Sequence, residues 1–81
     1  MTLDEAITEL TERIQRASPD AVVRVQRRSA DEAAIRAYAP AAHEDAIKDA
    51  TRDLTLALLT EDDIDVQVLV YDIATSLPPQ Q

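Results

Sequence analysis

The spacing of apolar residues most constrains the fold of this chain, because it switches between helical and strand period along the sequence. Helical spacing covers residues 3–17 and 41–60, whereas strict alternation covers residues 21–28, 33–39 and 64–71. Apolar residues three and four apart line one side of a helix, and apolar residues two apart line one side of a strand. The pattern predicts the element order α-β-β-α-β.

Local signals mark the ends of these segments. Thr2 and Glu5 have the spacing of a capping box, which predicts a helix that begins at Leu3. Residues 18–20, Ser-Pro-Asp, end that helix, because proline cannot continue the hydrogen-bond ladder and disfavours helical backbone before it. Pro40 closes the second alternating segment and suits the first turn of the next helix.

Together the apolar faces of these five segments predict the fold class. Two helices packed on one face of a three-stranded mixed sheet bury all five apolar faces at once, which is an α+β two-layer sandwich. The first two strands form an antiparallel hairpin, and the helix between the second and third strands predicts a parallel pair. We expect a single domain over residues 1–75 and a disordered C-terminal tail over residues 76–81.

Composition argues against several classes of partner. Sixteen acidic and eight basic side chains give a net charge of −8, which repels nucleic acid and anionic lipid, and two tyrosines are the only aromatic residues available for base stacking. No apolar run approaches the ~20 residues that span a bilayer. We therefore expect no nucleic acid binding and no membrane insertion. The absence of cysteine and of a signal-peptide pattern predicts a cytoplasmic location.

Common catalytic patterns are missing as well. Without glycine or cysteine the sequence has no phosphate-binding glycine loop, no nucleophile elbow and no thiol nucleophile. Ser18, Ser29 and Ser76 lie in turns or in the tail, with no histidine near them in sequence. The expectation is a protein that is not an enzyme and has no cofactor.

The face of the sheet that the two helices leave uncovered is the candidate binding site. Arginine and tyrosine are enriched at interface hot spots, and this face combines both with aliphatic side chains. It predicts a homo-oligomer or a protein partner, although an ordinary solvated sheet face is the alternative. Leu56 and Leu59, opposite the apolar side of the second helix, suggest a further contact or are simply exposed. The predicted partner-binding residues are Val22, Arg24, Arg36, Tyr38, Leu69 and Tyr71.

His43 is the one candidate for metal or acid–base chemistry. It lies in the first turn of the second helix, on the side of the sheet, but the positions three and four residues later hold Ala46 and Ile47 rather than a carboxylate or hydroxyl. A structural histidine is the favoured interpretation. The acidic ridge at residues 45, 49 and 53 predicts a solvated surface, with a weak divalent-cation site as the alternative.

Residues 21–72 also resemble a known family. The hairpin, the helix that opens with Ala42-His43-Glu44, and the strand Val-Gln-Val-Leu-Val at residues 66–70 resemble the cytoplasmic C-terminal domain of cation diffusion facilitator transporters. The resemblance implies a ferredoxin-like fold, dimerisation and a divalent metal, with His43 at the family's helix-start histidine. Where that family usually has a histidine in its last strand, this chain has Leu69 and Tyr71. The element order is also similar to that of the BON family of small binding domains.

The sequence therefore supports two functional hypotheses. The first is a noncatalytic interaction or regulatory module that self-associates or docks a partner through its open sheet face. The alternative is a metal-responsive regulatory domain that uses His43 as a ligand for a divalent metal.

Overall fold

A computed structural model describes residues 1–76 and confirms the α+β class with the predicted element order. The predicted tail, residues 76–81, lies outside the described residues except for Ser76. A single 3₁₀ turn, Ala41–His43, precedes the second helix. The elements are α1 (Leu3–Ala17), β1 (Val22–Arg27), β2 (Glu32–Ala39), α2 (Glu44–Glu61) and β3 (Asp65–Asp72).

Helix α1 begins with the predicted capping box. The Thr2 hydroxyl accepts the Glu5 backbone N–H at 3.2 Å, and the Glu5 carboxylate accepts the Thr2 backbone N–H at 2.9 Å. These two bonds satisfy donors that the helix itself leaves unpaired. The helix ends at Ala17, and Ser18 caps it by donating its backbone N–H to the Ile14 carbonyl at 2.8 Å.

The sheet has the strand order β1-β2-β3, so β2 is the central strand. It pairs antiparallel with β1 and parallel with β3. The registers align residues of the three strands in rows across the sheet, and the side chains of each row all lie on the same face. The row Val25–Ile35–Val68 faces the helices, and the next row, Arg24–Arg36–Leu69, faces away from them.

The core lies between the helices and one face of the sheet. Alanines at residues 33, 37 and 39 of β2 contribute small side chains, and Ile35 fills the centre without any exposed surface. On α2, Thr51 is buried among the apolar residues, and its hydroxyl is satisfied there by donating to the Ile47 carbonyl at 3.0 Å. The helical part of this core consists of Leu3, Ala6, Ile7, Leu10, Ile14, Ile47 and Leu58.

Because the chain has no glycine, the turn from α2 to β3 uses another residue in the left-handed region. Asp63 has φ 55°, the one positive φ among residues 1–76. Aspartate tolerates this conformation better than most residues, since its short polar side chain can bond to the local backbone. The acidic segment that ends α2 therefore serves as the turn.

Replacing Ile35 by alanine is expected to lower the free energy of unfolding by about 2–5 kcal/mol, because it leaves a cavity at the centre of the core. Val25, in the same row but 42% exposed, provides the matched control. Its replacement by alanine is expected to cost about 1 kcal/mol or less. Urea unfolding of both variants measures the difference, and equal losses would contradict the described core.

The capping box predicts a specific pH dependence. Two hydrogen bonds from Thr2 lower the pKa of Glu5 below its ordinary value of 4.5, and the one from the Thr2 backbone N–H has the larger effect. A carboxyl group whose pKa is lowered by folding stabilises the fold above its unfolded-state pKa, and this contribution disappears as the pH falls through the folded-state pKa. Glu5→Ala is therefore expected to be less stable than the wild type at pH 7, with the difference shrinking below pH 4.5.

Thermal unfolding at several pH values measures this effect, with Glu5→Gln as the control. The glutamine keeps an oxygen acceptor at the same position and does not titrate, so its effect on stability is expected to vary less with pH. A Glu5→Ala deficit that is the same at pH 7 and at pH 3 would rule out the carboxylate as its source.

Candidate partner-binding face

The sheet face opposite the helices, called here the open face, brings together all six predicted partner-binding residues. Their positions follow from the two registers, which align Val22, Tyr38 and Tyr71 in one row and Arg24, Arg36 and Leu69 in the next. A third row contains the small Ala34 between two longer side chains. The open face consists of Val22, Arg24, Gln26, Ala34, Arg36, Tyr38, Gln67, Leu69 and Tyr71.

The two tyrosines do not contribute equally to this surface. Their rings stack with centroids 5.2 Å apart and an angle of 21° between the planes. Tyr38 is only 6% exposed, whereas Tyr71 on the outer strand is half-buried and keeps part of its ring accessible. Tyr71 is therefore the tyrosine that can contact a partner, and the buried ring of Tyr38 packs against it.

Arg24 and Arg36 are directly opposite each other on neighbouring strands. Like charges in this position repel, and ion pairs elsewhere in the molecule use other arginines: Arg13, Arg16, Arg27 and Arg52 each contact a carboxylate. Across residues 1–76, no carboxylate forms an ion pair with Arg24 or Arg36. Within the described residues, the open face thus carries two positive charges without an ion-pair partner, on a chain whose net charge is −8.

The guanidinium of Arg24 is only partly satisfied by the protein. Its Nη1 donates to the backbone carbonyl of Val23 at 3.1 Å. Its Nε is buried and has no hydrogen-bond partner within the described range of the chain. A buried charged donor without an acceptor lowers stability, and a carboxylate is the acceptor that fits a guanidinium best.

His43 forms a hydrogen bond that sequence spacing did not predict. Its Nδ1 lies 2.7 Å from the hydroxyl oxygen of Ser18, a residue 25 positions earlier in the chain. Ser18 caps the C-terminus of α1, and His43 is the residue just before α2. The bond therefore connects the end of one helix to the start of the other.

A serine hydrogen-bonded to a histidine is also the first requirement for an activated nucleophile. Ser18, however, has no exposed surface, so a substrate has no access to its hydroxyl. The described part of the molecule also contains no cavity that could hold a substrate. The geometry is that of a structural bond between two helix termini.

The acidic side chains do not gather into a metal site. Among residues 1–76, no three histidine, cysteine, aspartate or glutamate side chains come together to hold an ion. On α2, Asp49 pairs with Arg52 at 2.9 Å, and Glu44 pairs with Lys48 at 2.6 Å. The Glu44 carboxylate, through this bond, raises the pKa of Lys48.

Leu56 and Leu59, the second surface suggested by the sequence, are 59% and 50% exposed on α2. Single exposed leucines are common on protein surfaces, so this pair by itself identifies no site. Neither described helix combines the length and apolar composition that a bilayer-spanning segment requires.

No protein family, no curated protein and no solved structure matches this chain. The resemblance to the C-terminal domains of cation diffusion facilitator transporters therefore stays a prediction.

Sequence reasoning identified the members of the open face but missed two contacts within the molecule. The alternation of β1 and β2 showed that both arginines face the same way, whereas their direct opposition depends on the hairpin register. The bond between Ser18 and His43 had no signal in local spacing, because it joins residues from two separate helix ends.

The bond between Ser18 and His43 is expected to stabilise the fold by about 1 kcal/mol, as a typical buried hydrogen bond does. Ser18→Ala and His43→Ala should therefore each lower the free energy of unfolding. The double variant should lose less than the sum of the two, because the first substitution already breaks the bond. Chemical denaturation measures all three.

Ser29→Ala is the control for this cycle. Ser29 is exposed in the hairpin loop and its hydroxyl accepts the nearby Asp31 N–H at 3.3 Å, so removal of this hydroxyl should change stability by less than about 0.5 kcal/mol. Strictly additive losses from Ser18→Ala and His43→Ala would show that the two side chains are not coupled.

Proposed function

We propose that this chain is a noncatalytic interaction module whose open face docks an acidic surface of a protein partner. One observation carries the proposal: Arg24 and Arg36 lie opposite each other on that face without a carboxylate from the described chain. A partner that supplies carboxylates would relieve the repulsion between the two guanidinium groups.

The surroundings of the two arginines suit such a contact. Leu69 lies in the same row as the arginines, and Val22 and Tyr71 lie in the adjacent row, so apolar and aromatic surface borders the positive charges. Binding energy at protein interfaces concentrates in residues of these types, particularly arginine and tyrosine. A carboxylate of a partner would thus meet two positive charges that lie next to apolar and aromatic side chains.

Charge also favours a different protein over a second copy of this chain. A symmetric contact between two open faces would bring the arginine pairs of both copies together. The positive charges at the contact would then repel. An acidic partner region is attracted by the arginines at contact distance, while salt screens the distant acidic groups.

No observation favours the metal-responsive alternative to the same degree. His43 is engaged by Ser18, and three candidate ligands do not converge at any point in the described structure. The docking hypothesis is the one that the arrangement of side chains supports.

A site-specific photocrosslinker tests the proposal in the native host at the native expression level. Gln67 is exposed on the open face, one row away from Arg36, and p-benzoylphenylalanine at this position should form an adduct with one discrete protein. Mass spectrometry of the adduct should place the crosslink next to a cluster of Asp or Glu residues. Arg24→Gln combined with Arg36→Gln should lower the adduct yield about tenfold or more.

The same crosslinker at Gln15 is the matched control, since that glutamine is exposed on α1, away from the open face. Identical adducts from both positions, or an adduct whose yield does not depend on the two arginines, would contradict docking through the open face. So would the absence of any adduct at residue 67.

A further inference from the structure

The outer edge of β1, next to the open face, carries backbone groups that do not pair with β2. In the hairpin, the Arg28 N–H donates to the Glu32 carbonyl at 2.9 Å, so residues 28 and 32 form a hydrogen-bonded pair. Hydrogen-bonded pairs alternate along an antiparallel ladder, which makes residues 26, 24 and 22 the next ones bonded to β2. Val23, Val25 and Arg27 therefore direct their backbone N–H and C=O groups outward.

Little within the described chain covers this edge. The Val23 carbonyl accepts the Arg24 guanidinium, but in the described structure neither Val25 nor Arg27 has a backbone partner at the edge. Proteins usually protect exposed edges by short length, proline, bulges or charge. β1 has six regular residues without proline, so its protection is the charge of Arg24 and Arg27, and the 42% exposed side chain of Val25 lies between them.

The side chains along β1 define which strand would fit beside it. Val23 and Val25 lie on the helix side of the sheet, whereas Arg24 and Gln26 lie on the open face. A neighbouring strand would follow the same alternation, with one set of side chains next to the valines and the other next to the arginines. The matching segment alternates apolar and acidic residues.

We propose that β1 accepts an extended segment of a partner protein as a fourth strand, with apolar residues beside Val23 and Val25 and acidic residues beside Arg24 and Arg28. This inference rests on the proposed function and specifies how the partner binds: main-chain hydrogen bonds supply affinity, and the alternating side chains supply specificity. Arg24 releases the Val23 carbonyl and pairs with a partner carboxylate.

The opposite edge of the sheet has the wrong charge for the same segment. β3 begins with Asp65 and ends with Asp72, and it contains no basic residue. An acidic strand is repelled there and attracted at β1, near Arg24 and Arg28. Charge complementarity thus favours β1 over β3 as the binding edge and an acidic segment as its ligand.

A pair of N-methylated peptides tests this inference on the full chain. The probe is acetyl-Glu-Val-Glu-Val-Glu-Val-Glu-amide, made once with N-methyl groups on its last three glutamates and once with N-methyl groups on its three valines. In the proposed register the segment is antiparallel to β1 with its valines opposite Val23, Val25 and Arg27, so the valine N–H groups are the ones that bond to β1. Both peptides have the same charge, composition and number of methyl groups.

The glutamate-methylated peptide is expected to bind at about 0.15 M ionic strength, where the distant acidic groups are screened, and to slow hydrogen exchange of the Val23, Val25 and Arg27 amides, measured by NMR. The valine-methylated peptide should bind about tenfold or more weakly, because three main-chain hydrogen bonds are lost. Val25→Pro, which removes one outward N–H at an edge where proline is tolerated, should weaken binding more than Val25→Ala.

Equal affinity of the two peptides would overturn strand addition while leaving docking on the open face intact. No binding of either peptide would also overturn it, and the crosslink at residue 67 would still decide the proposed function separately. A mass that rises with concentration in light scattering, with protection of β1 amides in the absence of peptide, would assign the edge to a second copy of the chain instead.

Discussion

The pairing of β2 with a strand on each side is the constraint on which the rest of the structure depends. This strand forms the centre of the sheet and is buried along most of its length, on both faces. Its alanines let the helices approach closely, and Ile35 fills the space that remains. The two registers of β2 also align the side chains of β1 and β3, so they determine which residues meet on the open face.

The open face follows from the small number of elements. Two helices cover one side of a three-stranded sheet, and the described chain has no third helix for the other side. Even so, Ala34 and Tyr38 on that other side are buried within the described fold. The face thus combines a well-packed centre with long polar and aromatic side chains around it. Such a rigid surface is well suited to recognition, since little ordering is needed on binding.

The arginine pair connects this architecture to function. Four other arginines of this molecule each contact a carboxylate, three of them within a helix and one between β1 and α1. The described structure leaves Arg24 and Arg36 without that compensation, beside an uncovered strand edge. Local features that oppose stability commonly mark sites whose interactions are completed by a partner. Charge, edge and apolar surface then point to the same partner, an acidic extended segment.

Much of the fold could be predicted from the sequence because its signals are local. Thr2 and Glu5 defined the start of α1, and the alternation of β3 defined its two faces. The α+β class and element order followed from these periods. The burial of Tyr38 and the bond between Ser18 and His43 could not be predicted, because each depends on how separate elements meet. The membership of the open face was predictable from strand alternation, but the opposition of Arg24 and Arg36 was not, since it requires the hairpin register.

A double-mutant cycle on Arg24 and Arg36 in the free chain measures that repulsion most directly. The free energy of unfolding is determined at low salt for the wild type, Arg24→Gln, Arg36→Gln and the double variant. We expect an unfavourable coupling between the two arginines of about 0.2–1 kcal/mol that shrinks in high salt. A coupling of zero, or a favourable one, would contradict the claim that Arg24 and Arg36 repel each other across the hairpin.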